Sequence, residues 1–441
     1  MNESLGHLPN EPIDRFTKPF LRFLRIEATA GAALLLAIML ALVISNSPWA
    51  NSFHAFWLTP VGVRVGAADF SHSLKHWIND GLMTLFFFLV ALELKREIVL
   101  GELRNPRVAA LSIAGALGGM LVPAVIYVFL ARGSAGMAGW GTVMATDTAF
   151  VIGCLAILGS RVPLSLRLFL LSLAIFDDIG AIVVVAIGYG EALNGWAVLL
   201  AGVGLTVVVG VGRIGVRNMA LYSLLGGLIW LAFDASGIHP TLAGVALGLL
   251  TPARVWVTGH RLRAILAKAL VPPAREQRSA TAAEQENLRR ARVATREAQS
   301  PVEQLERSLH PWVAFAILPV FALANGGVEI SPENFNVSVA AAVFAGLVIG
   351  KPLGVVVVSF LAVRLGVAAK PAGLHWALIA AGGALTGIGF TMAVFIAELA
   401  FDDAMLNSAK IGILAASVVA AAIGLLALAW LTSRSAMRAA P

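Results

Sequence analysis

Twelve long apolar runs constrain this 441-residue chain more than any other feature. They lie at about 27–46, 76–95, 108–131, 138–157, 166–188, 193–211, 218–234, 239–257, 310–327, 337–363, 374–399 and 408–431. A helix crosses the hydrocarbon core of a bilayer with about 20 predominantly apolar residues, so each run reads as one crossing. Charged residues make up only 13% of the chain, about half the roughly 25% of a soluble domain. A soluble domain of normal size is therefore excluded. The expected fold class is an all-α polytopic membrane protein with 12 transmembrane helices.

The loops give the orientation. Arg15, Lys18, Arg22 and Arg25 precede the first run, and Lys95, Arg96, Arg104 and Arg107 join the second to the third. Arg161, Arg167, Arg213, Arg217, Arg364, Lys370, Arg434 and Arg438 continue the series on the same side. The alternate loops hold only Arg64, Lys75, Arg132 and Lys410, against Glu191, Asp234, Glu329, Glu333, Asp402 and Asp403. Lys and Arg accumulate in cytoplasmic loops, so both termini are expected in the cytoplasm. The net charge of +7 is then an orientation signal, and no nucleic-acid partner is expected.

The organisation that follows is a cytoplasmic segment over 1–26, eight helices within 27–257, a charged cytoplasmic loop over 258–309, four helices within 310–431, and a cytoplasmic tail over 432–441. The first segment is polar and lacks the apolar core of a signal peptide. WLTPVGVRVGAADF, between the first two helices, combines Pro, Gly and β-branched residues and reads as a small extended or hairpin element outside the membrane. The 258–309 loop is rich in Ala, Glu and Arg, is broken by Pro272, Pro273 and Pro301, and reads as a solvated, partly helical linker. The single cysteine, Cys154, allows no intramolecular disulfide and no cysteine metal site.

A charge at the bilayer centre costs about 2.5–3.5 kcal/mol on insertion scales and marks a cavity or a partner. Asp80, Glu93, Asp147, Asp177, Asp178, Lys351 and Glu398 all fall inside apolar runs. Asp147, Asp177, Asp178 and Lys351 lie near mid-run and should share one depth. Asp177 and Asp178 diverge by about 100° on a helix, so one can meet Lys351, the only mid-membrane cation, while the other faces water. Thr146 and Thr148 flank Asp147 and add hydroxyl oxygens. Such a set of hard oxygens beside a competing ammonium suits a small hard cation. Withdrawing a carboxylate from water favours its protonated form, and a group that holds either a proton or a cation, never both, supports exchange. No enzyme activity and no resident cofactor are expected.

The third to fifth helices begin inside and the tenth to twelfth begin outside, forming two three-helix units of opposite topology. Their middle members carry MATDTAF and GGALTGIGFTMAV. Gly382, Gly383, Gly387 and Gly389 suit an interrupted crossing in the eleventh helix, equally with close glycine packing. In the fourth helix the sequence shows little sign of a break.

NDGLMTLFFFLVALELKRE (79–97), ATDTAF (145–150), FDDIGAI (176–182), GIHPTLAG (237–244), LERSLHPWV (305–313), GKPLG (350–354) and LTGIGFTMAVFIAELAF (385–401) together resemble the NhaA-type bacterial Na+/H+ antiporters. The resemblance runs in order over nearly the whole chain, and the inverted repeat with interrupted crossing helices 4 and 11 is the arrangement known for that family. It implies an electrogenic inner-membrane antiporter that exports Na+ or Li+ and imports more than one proton per cation. It implies an ion and proton site at Asp177, Asp178 and Thr146, with Asp147 and Lys351 offsetting the half-helix ends and Lys351 pairing with Asp177. Activation at alkaline pH is implied, with Glu93, Glu97, Glu306 and His310 at a cytoplasmic funnel and His239 towards the outer side. Asp80 would line the outer funnel, and a homodimer would form partly through 58–70. The 258–309 loop is longer and more Arg-rich than the family's compact form, so the activation pH does not carry over.

Three other classes also place carboxylates in membranes. An intramembrane aspartyl protease needs facing aspartates, usually with GxGD, and no GxGD occurs. A cation channel is expected to show a repeated filter or ring, and none is visible. A Na+-coupled symporter on a related inverted-repeat fold is the nearest rival and would need an organic-substrate pocket.

Overall fold

The computed structural model describes residues 27–65, 68–99, 106–190, 192–216, 218–253, 255–269, 280–329 and 335–439. The basic positions 15, 18, 22, 25, 104 and 217, the acidic positions 191 and 333, and the proline pair at 272–273 lie outside the described residues. In chain order the elements are α1 (Glu27–Ser45), α2 (Ala50–Trp57), β1 (Pro60–Val65), β2 (Ala68–Ser73), α3 (74–99) and α4 (Pro106–Leu130). A tight 3₁₀ segment (Ala135–Val143) precedes α5 (Thr148–Leu158), α6 (Leu164–Gly188), α7 (Gly195–Ile214), α8 (Met219–Asp234) and α9 (Thr241–Leu250). There follow α10 (Gly259–Ala269), α11 (Ala280–Glu297), α12 (Pro301–Asn325), α13 (Val337–Arg364), α14 (Trp376–Leu385), α15 (Phe390–Ala400) and α16 (Asp403–Ala439).

Among the described residues, six helices are long and apolar enough to cross a membrane, and nine if each of three sharply bent helix pairs is one span. Local chemistry sets many ends. Asn194, Asn218 and Asn336 cap the starts of α7, α8 and α13 by accepting backbone N–H groups. Two wider π turns, Val313–Ile317 in α12 and Gly346–Gly350 in α13, each run up to a proline, Pro319 and Pro352. A proline ring clashes with the carbonyl four residues back, and the widened turn makes room for it.

The predicted 57–70 element is an antiparallel hairpin, Pro60 paired with Ser73 and Val65 with Ala68. Two boundaries differ from the sequence reading. The ninth apolar run belongs to a helix that starts earlier, at Pro301, because Ser300 and Glu303 form a reciprocal capping box there. Within 258–309, Gly259–Ala269 and Ala280–Glu297 are helical, in keeping with the partly helical linker expected there. The eighth helix is only ten residues long, about 15 Å of rise and half the hydrocarbon thickness.

Contacts divide the chain into two compact units. The first comprises residues 1–83, 106–190 and 311–441. Its core is built by α4, α5, α6, α13, α14 and α16, with Leu166, Leu170, Leu173, Val355, Ile379 and Leu385 buried at the centre. In it α4 and α13 touch backbone to backbone at Gly118 and Gly354, where a Cβ on either would overlap the other's carbonyl oxygen. The second comprises residues 84–105 and 191–310. There Gly244 and Gly248 of α9 press on α3 at Thr84 and Ala91, and the Trp230 indole donates to Thr84 at 3.0 Å. Large exposed apolar side chains such as Leu36 and Val43 on α1, Val125 and Phe129 on α4, and Leu199 and Val203 on α7 face the lipid of a multi-pass membrane protein.

Candidate functional site

The site lies in the first unit, where two interrupted helices meet. The 3₁₀ segment and α5 meet at 45° across residues 144–147, and α14 and α15 at 52° across residues 386–389. Each interruption frees backbone groups that need partners away from water. The breaks supply them to one another: Asp147 N–H donates to the Ile388 carbonyl at 2.7 Å, and Thr146 Oγ1 lies 2.9 Å from the Thr386 carbonyl. Gly387 belongs there because a side chain would strike the Leu347 carbonyl in the π turn of α13.

Asp147 sits between two helix N-termini. Its carboxylate caps α5 by accepting from Phe150 N–H at 3.2 Å, and it accepts from Thr391 N–H at 3.0 Å and Thr391 Oγ1 at 2.5 Å in the first turn of α15. Both termini carry partial positive charge, so one carboxylate neutralises two half-helices. Lys351 lies at the other side of the break, just after the π turn of α13, and is fully buried. Its ammonium donates to Asp177 Oδ2 and to Thr146 Oγ1, and that hydroxyl also touches Asp177.

Asp177 and Asp178 diverge as the helical angle requires. Asp177 is fully buried against Lys351, and its Oδ1 has no hydrogen-bond partner among the described residues. Asp178 is 5% exposed and has Thr148 Oγ1 at 3.5 Å, the long limit of a hydrogen bond. The structure thus gathers Thr146, Asp147, Asp177, Asp178 and Lys351 in one place, with Thr148, Thr386 and Thr391 around them. A buried carboxylate oxygen without a donor, a second buried carboxylate and several hydroxyls form a hard-oxygen set that fits a small alkali cation.

The remaining predicted residues are elsewhere. In the second unit Arg96 of α3 donates to Glu97 at 2.9 Å and to Glu306 of α12. Glu93 stands one turn before Glu97, and His310 one turn after Glu306 on an exposed face. His239 lies two residues before α9, with its Nδ1 2.8 Å from Thr241 Oγ1, while Lys95 reaches the Leu249 carbonyl near the other end of α9. His239 is therefore not part of the Arg96 cluster. Asp80, in the first unit, is buried and pairs with His76 at 3.0 Å. One constellation was missed from sequence. Glu398 at the end of α15 is held between Lys75 at 2.7 Å and Lys410 at 2.6 Å, from positions too distant in sequence to suggest pairing.

Long apolar helices, two broken helices crossing, and a buried cluster of carboxylates with an ammonium define a multi-pass membrane transporter. Residues 21–428 match the family described as Na+/H+ antiporter 1. The chain is 61% identical to the Na+/H+ antiporter NhaA of Rhizobium meliloti (strain 1021), covering 98% of this chain and 99% of that protein. It is 56% identical to NhaA 2 of Acidiphilium cryptum (strain JF-5), over 95% and 94% of the two chains. It is 52% identical to NhaA 2 of Vibrio vulnificus (strain CMCP6), over 98% and 96%. The chain belongs to the NhaA family of Na+/H+ antiporters. These relatives are named as transporters, not enzymes, and their names do not favour the Na+-coupled symporter.

Proposed function

We propose that the chain exports Na+, or Li+, in exchange for more than one proton, driven by the proton motive force across the bacterial inner membrane. The observation that carries this reading is the Asp177–Lys351 pair, with Asp178 beside it, at the crossing of two broken helices. The Na+ ion is the substrate, and Asp177, Asp178 and Thr146 offer it oxygens. The Lys351 ammonium competes for Asp177, and a proton competes for Asp178. Arrival of the cation displaces the Lys351 ammonium from Asp177, and the freed lysine gives up its proton to water while Asp178 gives up a second. Arrival of two protons restores the ammonium and the Asp178 carboxyl and expels the cation. Two proton-holding groups against one monovalent cation make the exchange electrogenic. Each surplus charge draws about 2.3 kcal/mol per 100 mV of membrane potential. Asp147 keeps the crossing electrically balanced while the site empties and fills.

The topology in this reading is twelve crossings with both termini cytoplasmic, the third to fifth and tenth to twelfth helices forming the inverted repeat. No resident cofactor takes part. The Arg96 cluster with Glu93, Glu97 and Glu306, near His310, is the element that sets alkaline activation, with His239 adjusting the profile and Asp80 lining the outer approach. The 58–70 hairpin supports a homodimer within the lipid bilayer. The test is Na+-induced collapse of an imposed pH gradient in proteoliposomes, scanned over pH, with Asp177→Asn/Asp178→Asn as control. Collapse in the native chain and none in the control is expected. Equal collapse in both refutes the site, and none in folded native chain at any pH refutes the exchange.

A further inference from the structure

The stretch from Val255 to Ala269 carries Arg261, Arg263, Lys268 and His260 and no acidic residue. It contains α10, whose Leu262 and Ile265 are half-buried while all four basic residues are exposed. Apolar side chains stand out beside them: Trp256 is 63% exposed, Val255 46% and Leu266 37%. On α11, by contrast, exposed cations share the helix with acids, and Arg290 is paired to Glu286 at 2.9 Å.

The position of this stretch is fixed at its base. Trp256 follows the apolar helix α9 by six residues. Val257 N–H donates to the Glu297 carbonyl at 3.1 Å, closing α10 and α11 into a hairpin. Beside that base, Ala253 and Val302 are buried against Leu92 of α3. Residues 84–91 of α3 and the helix α9 lead into this cluster as apolar runs, and α12 leads out of it towards one, so the hairpin springs from the ends of apolar runs, the level of the membrane boundary. A cationic helix with exposed Trp and Leu at that level has the composition of a helix that lies in the headgroup layer. Its charge complements the anionic cytoplasmic leaflet.

We propose that α10 is an interfacial anchor that binds the anionic phospholipid surface through Arg261, Arg263 and Lys268, with Trp256 and Leu266 entering the headgroup layer. The proposal rests on the cytoplasmic topology given above for the 258–309 loop. It gives the long basic loop a partner. Because α11 leads directly into α12, which carries Glu306, it also couples lipid charge to the Arg96 cluster.

The experiment places a spin label on Leu266→Cys in the full-length chain with Cys154→Ala, reconstituted in phosphatidylcholine alone and with added phosphatidylglycerol. Headgroup depth is expected only with the anionic lipid, and it should be lost at high salt. Arg261→Gln/Arg263→Gln/Lys268→Gln should reduce the docked population about a hundredfold, at roughly fivefold per cation. The same depth in both lipids, or an unchanged depth in the triple variant, overturns the proposal. Reduction of the label by external ascorbate in right-side-out vesicles overturns the topology and the anchor with it. The antiport reading is tested separately by the gradient assay.

Discussion

Lys351 is the residue whose loss should cost the fold most for its size. It is fully buried, and its ammonium is the cation paired with fully buried Asp177. Lys351→Met keeps most of the stem's volume and removes the charge, leaving a carboxylate in the interior with only Thr146 beside the vacated place. Breaking one partner out of a buried pair costs about 3–5 kcal/mol, whereas replacing both partners by uncharged groups is close to neutral. At about 2.1 cal/mol/K per residue of unfolding entropy, that loss lowers the melting temperature of the chain by about 3–5 °C. Cys154 is the only cysteine and is buried, so a thiol-reactive fluorophore reports unfolding in detergent without an added probe. Lys351→Met should melt earlier than the native chain, and Lys351→Met/Asp177→Asn should recover most of the loss. A single variant that melts with the native chain, or a double variant no better than the single, would refute the pairing argument.

Asp178→Asn should abolish Na+-induced collapse of the pH gradient and Asp177→Asn nearly so, with both chains still folded by the Cys154 assay. Full exchange by Asp178→Asn would remove it from the site. Asp147→Ala deprives two helix starts of their shared anion and should lower stability by about 2–3 kcal/mol, with Asp147→Asn milder in thermal melts. Glu398→Gln leaves Lys75 and Lys410 facing each other without their carboxylate; because Lys75 is 27% exposed, the expected loss is reduced to about 2–3 kcal/mol. For the pH response, Glu306→Gln removes one negative charge from the Arg96 cluster and leaves the guanidinium to the remaining acids. With less negative charge gathered around the guanidinium, activation should move to lower pH in the proteoliposome scan. A shift to higher pH would refute that sign.

The helices and the site residues were legible in the sequence to different degrees and for different reasons. Apolar runs announce membrane helices because lipid imposes length and composition together. The mid-run charges announced themselves because each is costly without a partner, and the 100° step between Asp177 and Asp178 already required two environments. Pairings among distant loops had no such signal. Lys75, Glu398 and Lys410 stand near the ends of three separate apolar runs, where single charges are ordinary. The early start of α12 is readable in principle: Ser300 and Glu303 have the spacing of a capping box, but the charge of the surrounding stretch makes all of it look like linker.

The break before α5 is the instructive case, because its sequence contains neither glycine nor proline. MATDTAF carries instead two threonines and an aspartate, residues whose side chains offer the backbone an alternative to helical bonding and which favour helix starts. Asp147 adopts the extended backbone of an N-cap, with φ −84° and ψ 96°, so a helix begins in the middle of an apolar run. That local preference alone is worth about 1 kcal/mol, too little to expose several backbone groups inside a membrane. The remainder comes from the other interrupted helix, through the Asp147 N–H to Ile388 carbonyl bond and the Thr391 contacts to the Asp147 carboxylate. Each break takes backbone partners from the other that its own helix does not supply. A preference too weak to act alone becomes decisive once a second chain segment completes it, and one sequence read segment by segment does not contain that completion.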